Sequence, residues 1–140
     1  MWNRVFLDTA FSLALANPND LLHARAIHIA DQLEVTETRL VTSRAVLLEI
    51  GNSLARLRYR AAGVRLLASL EADPSVEIVY LTDELYHEAL QLYRDRMDKE
   101  WGLADCISFV VMQAHGLTEA LTADKHFQQI GYNALSRHVE

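Results

Sequence analysis

Residues 4–9 read Arg4-Val5-Phe6-Leu7-Asp8-Thr9, a compact apolar strand that gives way at once to an acid and a hydroxyl residue. Thr9 to Ala16 then reads as a short helix, stopped by Asn17-Pro18. The same alternation recurs outward from this segment. Asp20 is a candidate cap for a helix in which Leu22, Ala26, Ile29 and Leu33 follow at spacings of four, three and four. Arg39 to Thr42 is a second strand, and Ser43 can cap a helix with Val46, Leu47, Ile50, Leu54 and Leu57 as its apolar face. Gly63 is expected to separate that helix from another over Val64 to Leu70, which ends at Asp73-Pro74. Val76 to Tyr80 is a third strand, and Thr82 with Asp83 and Glu84 marks the start of a helix carrying Leu85, Ala89 and Leu92. Leu103 to His115 is a largely apolar helix closed by Gly116, Glu119 to Thr122 a short fourth strand, and Ala123 to Phe127 a turn or half-helix.

Strands separated by helices of this length pair in parallel through right-handed crossovers. The expectation is an α/β domain over residues 1–140, a central, mainly parallel sheet of four to five strands flanked by helices. Sheets of that kind bind ligands at the carboxyl ends of their strands.

The chain has 140 residues, 51% of them hydrophobic and 23% charged, so one core can form without metal or disulfide staples. A net charge of −6, from 13 Lys+Arg against 19 Asp+Glu, argues against coating nucleic acid through bulk positive charge. The lone Cys106 excludes an internal disulfide, fits a reducing compartment, and reads as a buried small hydrophobe. Asp8 interrupts the one apolar stretch that resembles a signal peptide, and no run approaches the roughly 18 apolar residues of a membrane span. A cytoplasmic protein with no membrane partner is expected.

Four acids stand out. Asp8 follows the first strand directly, and Asp124 follows the fourth with only Ala123 after Thr122, so both should lie at one edge of the sheet. Glu49 and Asp105 sit in apolar helical settings, where an ionised carboxylate needs a partner. Convergent acids without matching bases suit a hard divalent cation such as Mg²⁺. Each acid also has a plainer reading: Asp8 and Asp105 as helix caps, Glu49 in an ion pair with Arg44 or Arg56, Asp124 as a turn residue.

The segments Val5-Phe6-Leu7-Asp8-Thr9, Leu47-Leu48-Glu49-Ile50-Gly51-Asn52, Trp101 to Phe109 (WGLADCISF) and Ala120 to Tyr132 (ALTADKHFQQIGY) resemble those of PIN-domain proteins, and within them the ribonuclease toxins of VapC-type toxin–antitoxin pairs. The resemblance spans nearly the whole chain in order and spacing. It implies a PIN-like three-layer domain and a catalytic, metal-holding site of Asp8, Glu49, Asp105 and Asp124, taking Mg²⁺ or Mn²⁺. It places Thr9 and Thr122 at small hydroxyl positions that orient the acids. It further implies an endoribonuclease acting on RNA, a small antitoxin that clamps the apolar helices, and a homodimer. Gly102 departs from the pattern, since related sequences often carry serine there, which bears on a hydrogen bond near Asp105. Asp98, seven residues before Asp105, is a possible fifth acid.

Such a site suits phosphodiester hydrolysis, and the positive charge for RNA is found locally. Between Glu49 and Glu71 there is no acid, yet Arg56, Arg58, Arg60 and Arg65 occur there, with Tyr59 among them to stack on a base. These are candidate RNA contacts or simply a solvated helix face. The tyrosines 80, 86 and 93, the methionines, Trp2 and Trp101 read as packing residues. The six histidines show no clustering; His126 lies nearest the acids but reads as a turn residue. Two other classes compete with the nuclease. A non-catalytic PIN-like binding module, in an antitoxin complex or RNA-processing assembly, is disfavoured by the presence of all four acids. A response-regulator receiver fails because Thr9, not a second acid, follows Asp8, and Tyr80-Leu81 ends the third strand.

Overall fold

The computed structural model describes residues 3–134; Trp2 and His138 lie outside them. Five strands, β1 (Arg4–Leu7), β2 (Arg39–Ser43), β3 (Val76–Val79), β4 (Glu119–Leu121) and β5 (Asn133–Ala134), form one parallel sheet in the order β3-β2-β1-β4-β5. The helices are α1 (Thr9–Ala16), α2 (His23–Val35), α3 (Arg44–Ser53), α4 (Leu57–Ala72), α5 (Asp83–Asp95), α6 (Leu103–Ala114) and α7 (Lys125–Gln129).

Side chains alternate across a strand, and β1 uses both faces. Val5 and Leu7 pack with Phe11 and Ala14 of α1 and with Ala26, Ile29 and Leu33 of α2. Phe6 points the other way, into a cluster built from α3, α6, Ala89 of α5 and Phe127 of α7. Helices thus cover both faces of the sheet, giving three layers. Within this cluster Phe109 stands edge-on to Trp101 and Phe127, with centroids 5.1 and 5.0 Å away.

The first three strands step outward from β1 on one side, and β4 and β5 lie on the other. The switch point therefore falls between β1 and β4, where the carboxyl ends of the strands leave a crevice. Phe6 pairs with Val41 on one side and Ala120 on the other, and Leu7 pairs with Leu121.

Local signals read from the sequence agree with the structure where they are capped. The Ser43 and Thr82 hydroxyls accept from Val46 and Leu85 N–H, at 3.3 and 3.1 Å. Asp20 instead caps a turn before α2, accepting from Leu22 N–H at 2.8 Å. Cys106 is fully buried, and burial pushes its thiol up to about 11.

Two expectations are corrected. The break after α3 falls at Leu54–Arg56, not at Gly63, and Leu57, 91% exposed, opens α4 instead of extending the apolar face of α3. Arg60 donates through Nε and Nη2 to the Ala55 carbonyl at 3.0 and 2.7 Å, satisfying an oxygen the break leaves open. Gly63 is buried inside α4, and a Cβ there would sit 3.1 Å from Leu54 Cβ, so its smallness lets α4 pass close to the end of α3. Nor do all the proposed packing residues pack. Met112 is fully buried, but Met97 is 88% exposed and Tyr80, expected to end the third strand but lying just beyond the edge strand β3, is 72% exposed. Tyr86 and Tyr93 are exposed as well. No helix among the described residues is long and apolar enough to cross a membrane.

Candidate active site

Asp8 is the first residue beyond β1, and its N–H continues the ladder by donating to Leu121 O at 3.2 Å. It stands at the N-cap position of α1, yet its carboxylate makes no capping bond. Instead Thr122 Oγ1 donates to Asp8 Oδ2 at 2.7 Å, inside the protein. At 7% exposure the carboxyl is pushed up to about 6, chiefly by burial; the bonds from Thr122 and the Thr9 backbone act against this, and repulsion from Glu49 and Asp105 adds to it.

Glu49 projects from α3, where Thr9 Oγ1 donates to its Oε1 at 2.9 Å. Neither suggested ion pair forms: Arg44 turns to Glu71 at 2.9 Å, and Arg56 is exposed. Burial raises the Glu49 carboxyl, as do Asp105 and Asp124, while Thr9 opposes the rise. Asp105 is the third residue of α6, and its Oδ2 accepts from the Gly102 N–H at 3.1 Å. The capping reading thus holds in part. Its carboxyl is also raised by burial and by Asp124, with Gly102 and His126 opposing. At Gly102 a backbone N–H serves Asp105, and an added Cβ would lie 3.8 Å from Asp105 Oδ2, an ordinary contact.

Asp124 caps α7, accepting from His126 N–H at 2.9 Å. Its own N–H donates to Thr122 Oγ1 at 3.0 Å, so this hydroxyl accepts from one acid's backbone while donating to the other acid's side chain. The same cap folds the His126 ring back, with Nδ1 3.2 Å from both Asp105 Oδ2 and Asp124 Oδ1. Sequence reasoning placed His126 nearest the acids but read it as a turn residue and gave it no part in the site. The available signal was its place two positions after a capping acid, where the first turn of a helix returns a side chain toward its cap.

The crevice therefore brings Asp8, Glu49, Asp105 and Asp124 within electrostatic reach of one another, with Thr9 and Thr122 holding two of them. Among the described residues, the groups that favour the charged forms of Asp8, Glu49 and Asp105 are hydroxyls, backbone N–H groups and His126, not an arginine or lysine. One ligand atom each of Asp105, Asp124 and His126 lie within 4.8 Å of one another, a spacing that fits a single divalent cation. Carboxylate oxygens suit Mg²⁺, and the imidazole widens the fit toward Mn²⁺.

The other candidate residues lie elsewhere. Asp98 is exposed and joined to Arg96 through two contacts of 2.9 and 3.0 Å, and Arg96 holds its carboxyl down at about 2. Arg56, Arg58, Arg60 and Arg65 are exposed on and before α4. The Arg58 guanidinium lies 4.7 Å from the Tyr59 ring centroid. Tyr59 lines a separate cavity of about 390 Å³ beside Leu13, Asn17 and Asp20, away from the four acids.

Comparison with known proteins gives a consistent picture. The family model of the PIN domain matches residues 5–132. The 23S rRNA-specific endonuclease VapC20 of Mycobacterium tuberculosis is 29% identical over 129 residues, covering 91% of this chain and 95% of VapC20. The crystal structure of VapC20, described as a Sarcin-Ricin loop cleaving toxin, superposes with a TM-score of 0.80 at 27% identity, over 91% of this chain and 95% of that one. The fold recurs at lower identity in VapBC2 from Rickettsia felis bound to a promoter DNA fragment (TM-score 0.68, 14% identity, 94% and 96% of the two chains). It recurs also in FitAcB from Neisseria gonorrhoeae (TM-score 0.68, 20% identity, 96% and 99%).

Proposed function

The chain belongs to the PIN-domain family, and from that premise we propose that it is a divalent-metal-dependent endoribonuclease, a toxin restrained by a small antitoxin protein. The observation that carries this reading is the meeting of Asp8, Glu49, Asp105 and Asp124 at the β1/β4 crevice, with no arginine or lysine among the described residues to neutralise them. The likeness to an rRNA endonuclease over nearly the whole chain supports RNA as substrate, and the likeness to VapC20 together with the VapBC2 fold supports the antitoxin partner. A non-catalytic module has no need of four acids held in a shared charge-strained cluster.

Asp105, Asp124 and His126 would hold Mg²⁺ or Mn²⁺ beside Asp8. When bound, the cation would acidify water and offset the charge that builds on the phosphate. Thr122 fixes the Asp8 carboxylate from one side of the crevice, and Thr9 fixes Glu49 from the other. Glu49 orients the attacking water and takes its proton at the carboxylate. Burial of Asp8 at the floor of the crevice keeps solvent from spreading the charge of the cluster.

The test is cleavage of an end-labelled RNA hairpin carrying the sarcin–ricin loop. Cleavage is expected with Mg²⁺ or Mn²⁺ and is expected to stop with EDTA. Asp105→Asn should reduce it by about 10²–10⁴-fold, the usual span for a positioned catalytic group. Undiminished cleavage by this variant, or by the EDTA-treated protein, would overturn the metal-site assignment.

His126 makes a separable prediction. His126→Ala should weaken Mn²⁺ binding, followed by electron paramagnetic resonance titration, by roughly tenfold while Mg²⁺ binding changes less, because imidazole favours the later transition metals over Mg²⁺. Equal losses for both ions would show that the ring acts only by steadying Asp105 and Asp124.

A further inference from the structure

On the same side of α6 as its N-terminus, the segment joining α5 to α6 frames a groove of about 550 Å³. Arg94, Arg96 and Lys99 line it with one acid, Glu100, and Asp98 pairs with Arg96, so the groove keeps a slight positive excess in a chain whose net charge is −6. The groove is also placed: Gly102 forms part of its wall, and the Gly102 N–H is the group that holds Asp105 Oδ2 at 3.1 Å. Basic groove and carboxylate crevice therefore share one residue as their boundary.

The three cations are not equivalent. Arg96 is anchored, its guanidinium lying 5.0 Å from the Trp101 ring centroid while Asp98 takes its Nε and Nη2 hydrogens. Trp101 is itself pinned, with Nε1 donating to Gln129 Oε1 at 2.9 Å. Arg94 and Lys99 make no ion pair or side-chain hydrogen bond among the described residues; Arg94 is exposed, and the Lys99 charge acts on the Asp98 carboxylate only at a distance. Tyr93 and Met97 stand exposed in the same wall, Met97 at 88%. Cations free to meet phosphates beside apolar and aromatic surface free to meet bases are what a single-stranded nucleic acid requires. This places Asp98 in a new light, as the counter-ion that fixes Arg96 and not as a fifth metal-site acid.

We infer that the α5–α6 groove carries the RNA strand into the active site, with Arg94 and Lys99 on successive phosphates and Tyr93 or Met97 against a base. The inference rests on the nuclease reading and deepens it. It also moves the RNA contact away from α4, where Arg60 is committed to the Ala55 carbonyl and Arg58 to the Tyr59 ring.

The experiment uses the whole chain carrying Asp8→Asn, so that the RNA is bound and not cut, and a fluorescein-labelled sarcin–ricin hairpin as probe. In this background Arg94→Glu with Lys99→Glu is compared with Arg58→Glu and Arg65→Glu on α4. The groove reversal is expected to weaken binding more than tenfold. It should also flatten the slope of log affinity against log salt by about 1.4, the share of two phosphate contacts to a single strand. The α4 reversal should change affinity less than twofold. Mn²⁺ binding to the otherwise unaltered chain carrying the groove reversal should stay as in the unaltered protein, which confirms that the variant is folded with its acids in place.

An unchanged salt slope in the groove variant, or a larger loss in the α4 variant, would overturn the track while leaving the nuclease reading intact. Absence of hairpin binding at low salt, joined to absence of cleavage by the unaltered protein, would sink both.

Discussion

Asp8→Asn is expected to abolish RNA cleavage and, at the same time, to make the metal-free protein more stable at pH 7.5. The two effects have one origin. Burial drives the Asp8 carboxyl from its ordinary value of 3.8 to about 6 in the folded chain. A carboxyl whose folded value is raised binds more protons folded than unfolded between those two values, so stability falls as pH rises through that window. The favourable contribution is complete below 3.8 and lost above about 6. At pH 7.5 the ionised Asp8 thus costs the fold on the order of 3 kcal/mol, since each pH unit between the two values contributes about 1.4 kcal/mol. Asparagine removes the charge while keeping an oxygen that can accept from Thr122, so most of that cost should be recovered. Thermal unfolding without metal should show the variant above the parent at pH 7.5, with the gap closing as pH falls toward 4. A variant less stable than the parent at pH 7.5 would mean that Asp8 is already neutralised by a group other than a metal. Added Mn²⁺ should reverse the order, stabilising only the parent strongly.

The other large effect is at Phe127, which is fully buried and meets the rings of Phe6 and Phe109 at 6.2 and 5.0 Å. It is the one fully buried side chain of the five-residue α7, whose cap is Asp124 and whose first turn holds His126. Phe127→Ala should cost about 3–5 kcal/mol through lost burial and the cavity left between the two rings. For a chain of this size that corresponds to roughly 10–20 °C in Tm, read by calorimetry. Mn²⁺ affinity should fall with it, since α7 loses the anchor that sets Asp124 and His126 against Asp105. A loss under about 1 kcal/mol would show that capping bonds alone seat this helix.

What could be read from the sequence was what is decided locally. β1 and α1 were legible because a run of apolar residues meets Asn17-Pro18 at its end, and α3 and α5 because Ser43 and Thr82 announce their starts. The meeting of Asp8 and Asp124 followed from topology, since both leave the carboxyl ends of parallel strands. What could not be read depended on distant partners. Gly63 looks like a helix breaker until Leu54 is seen against it, and the break itself lies at residues 54–56. Asp98 looks like a site acid until Arg96, two residues earlier, takes it. β5 has only two residues, Asn133 and Ala134, with no strand pattern of their own, and it pairs because β4 offers an open edge. His126 was hidden by the turn that folds it back.

The bond from Thr122 to Asp8 joins positions 114 apart in the chain, and it lies at the one place where β1 meets β4. During synthesis the ribosome releases Asp8 and Glu49 long before Asp105 and Asp124, at about 5–20 residues per second. Until β4 docks beside β1 the sheet is incomplete, Asp124 is not in place and Asp8 lacks the Thr122 hydroxyl that aims it, although Thr9 can already hold Glu49. Completion of the fold and assembly of the full acid cluster are thereby the same event, so a nascent chain still short of its last strands holds only part of the site.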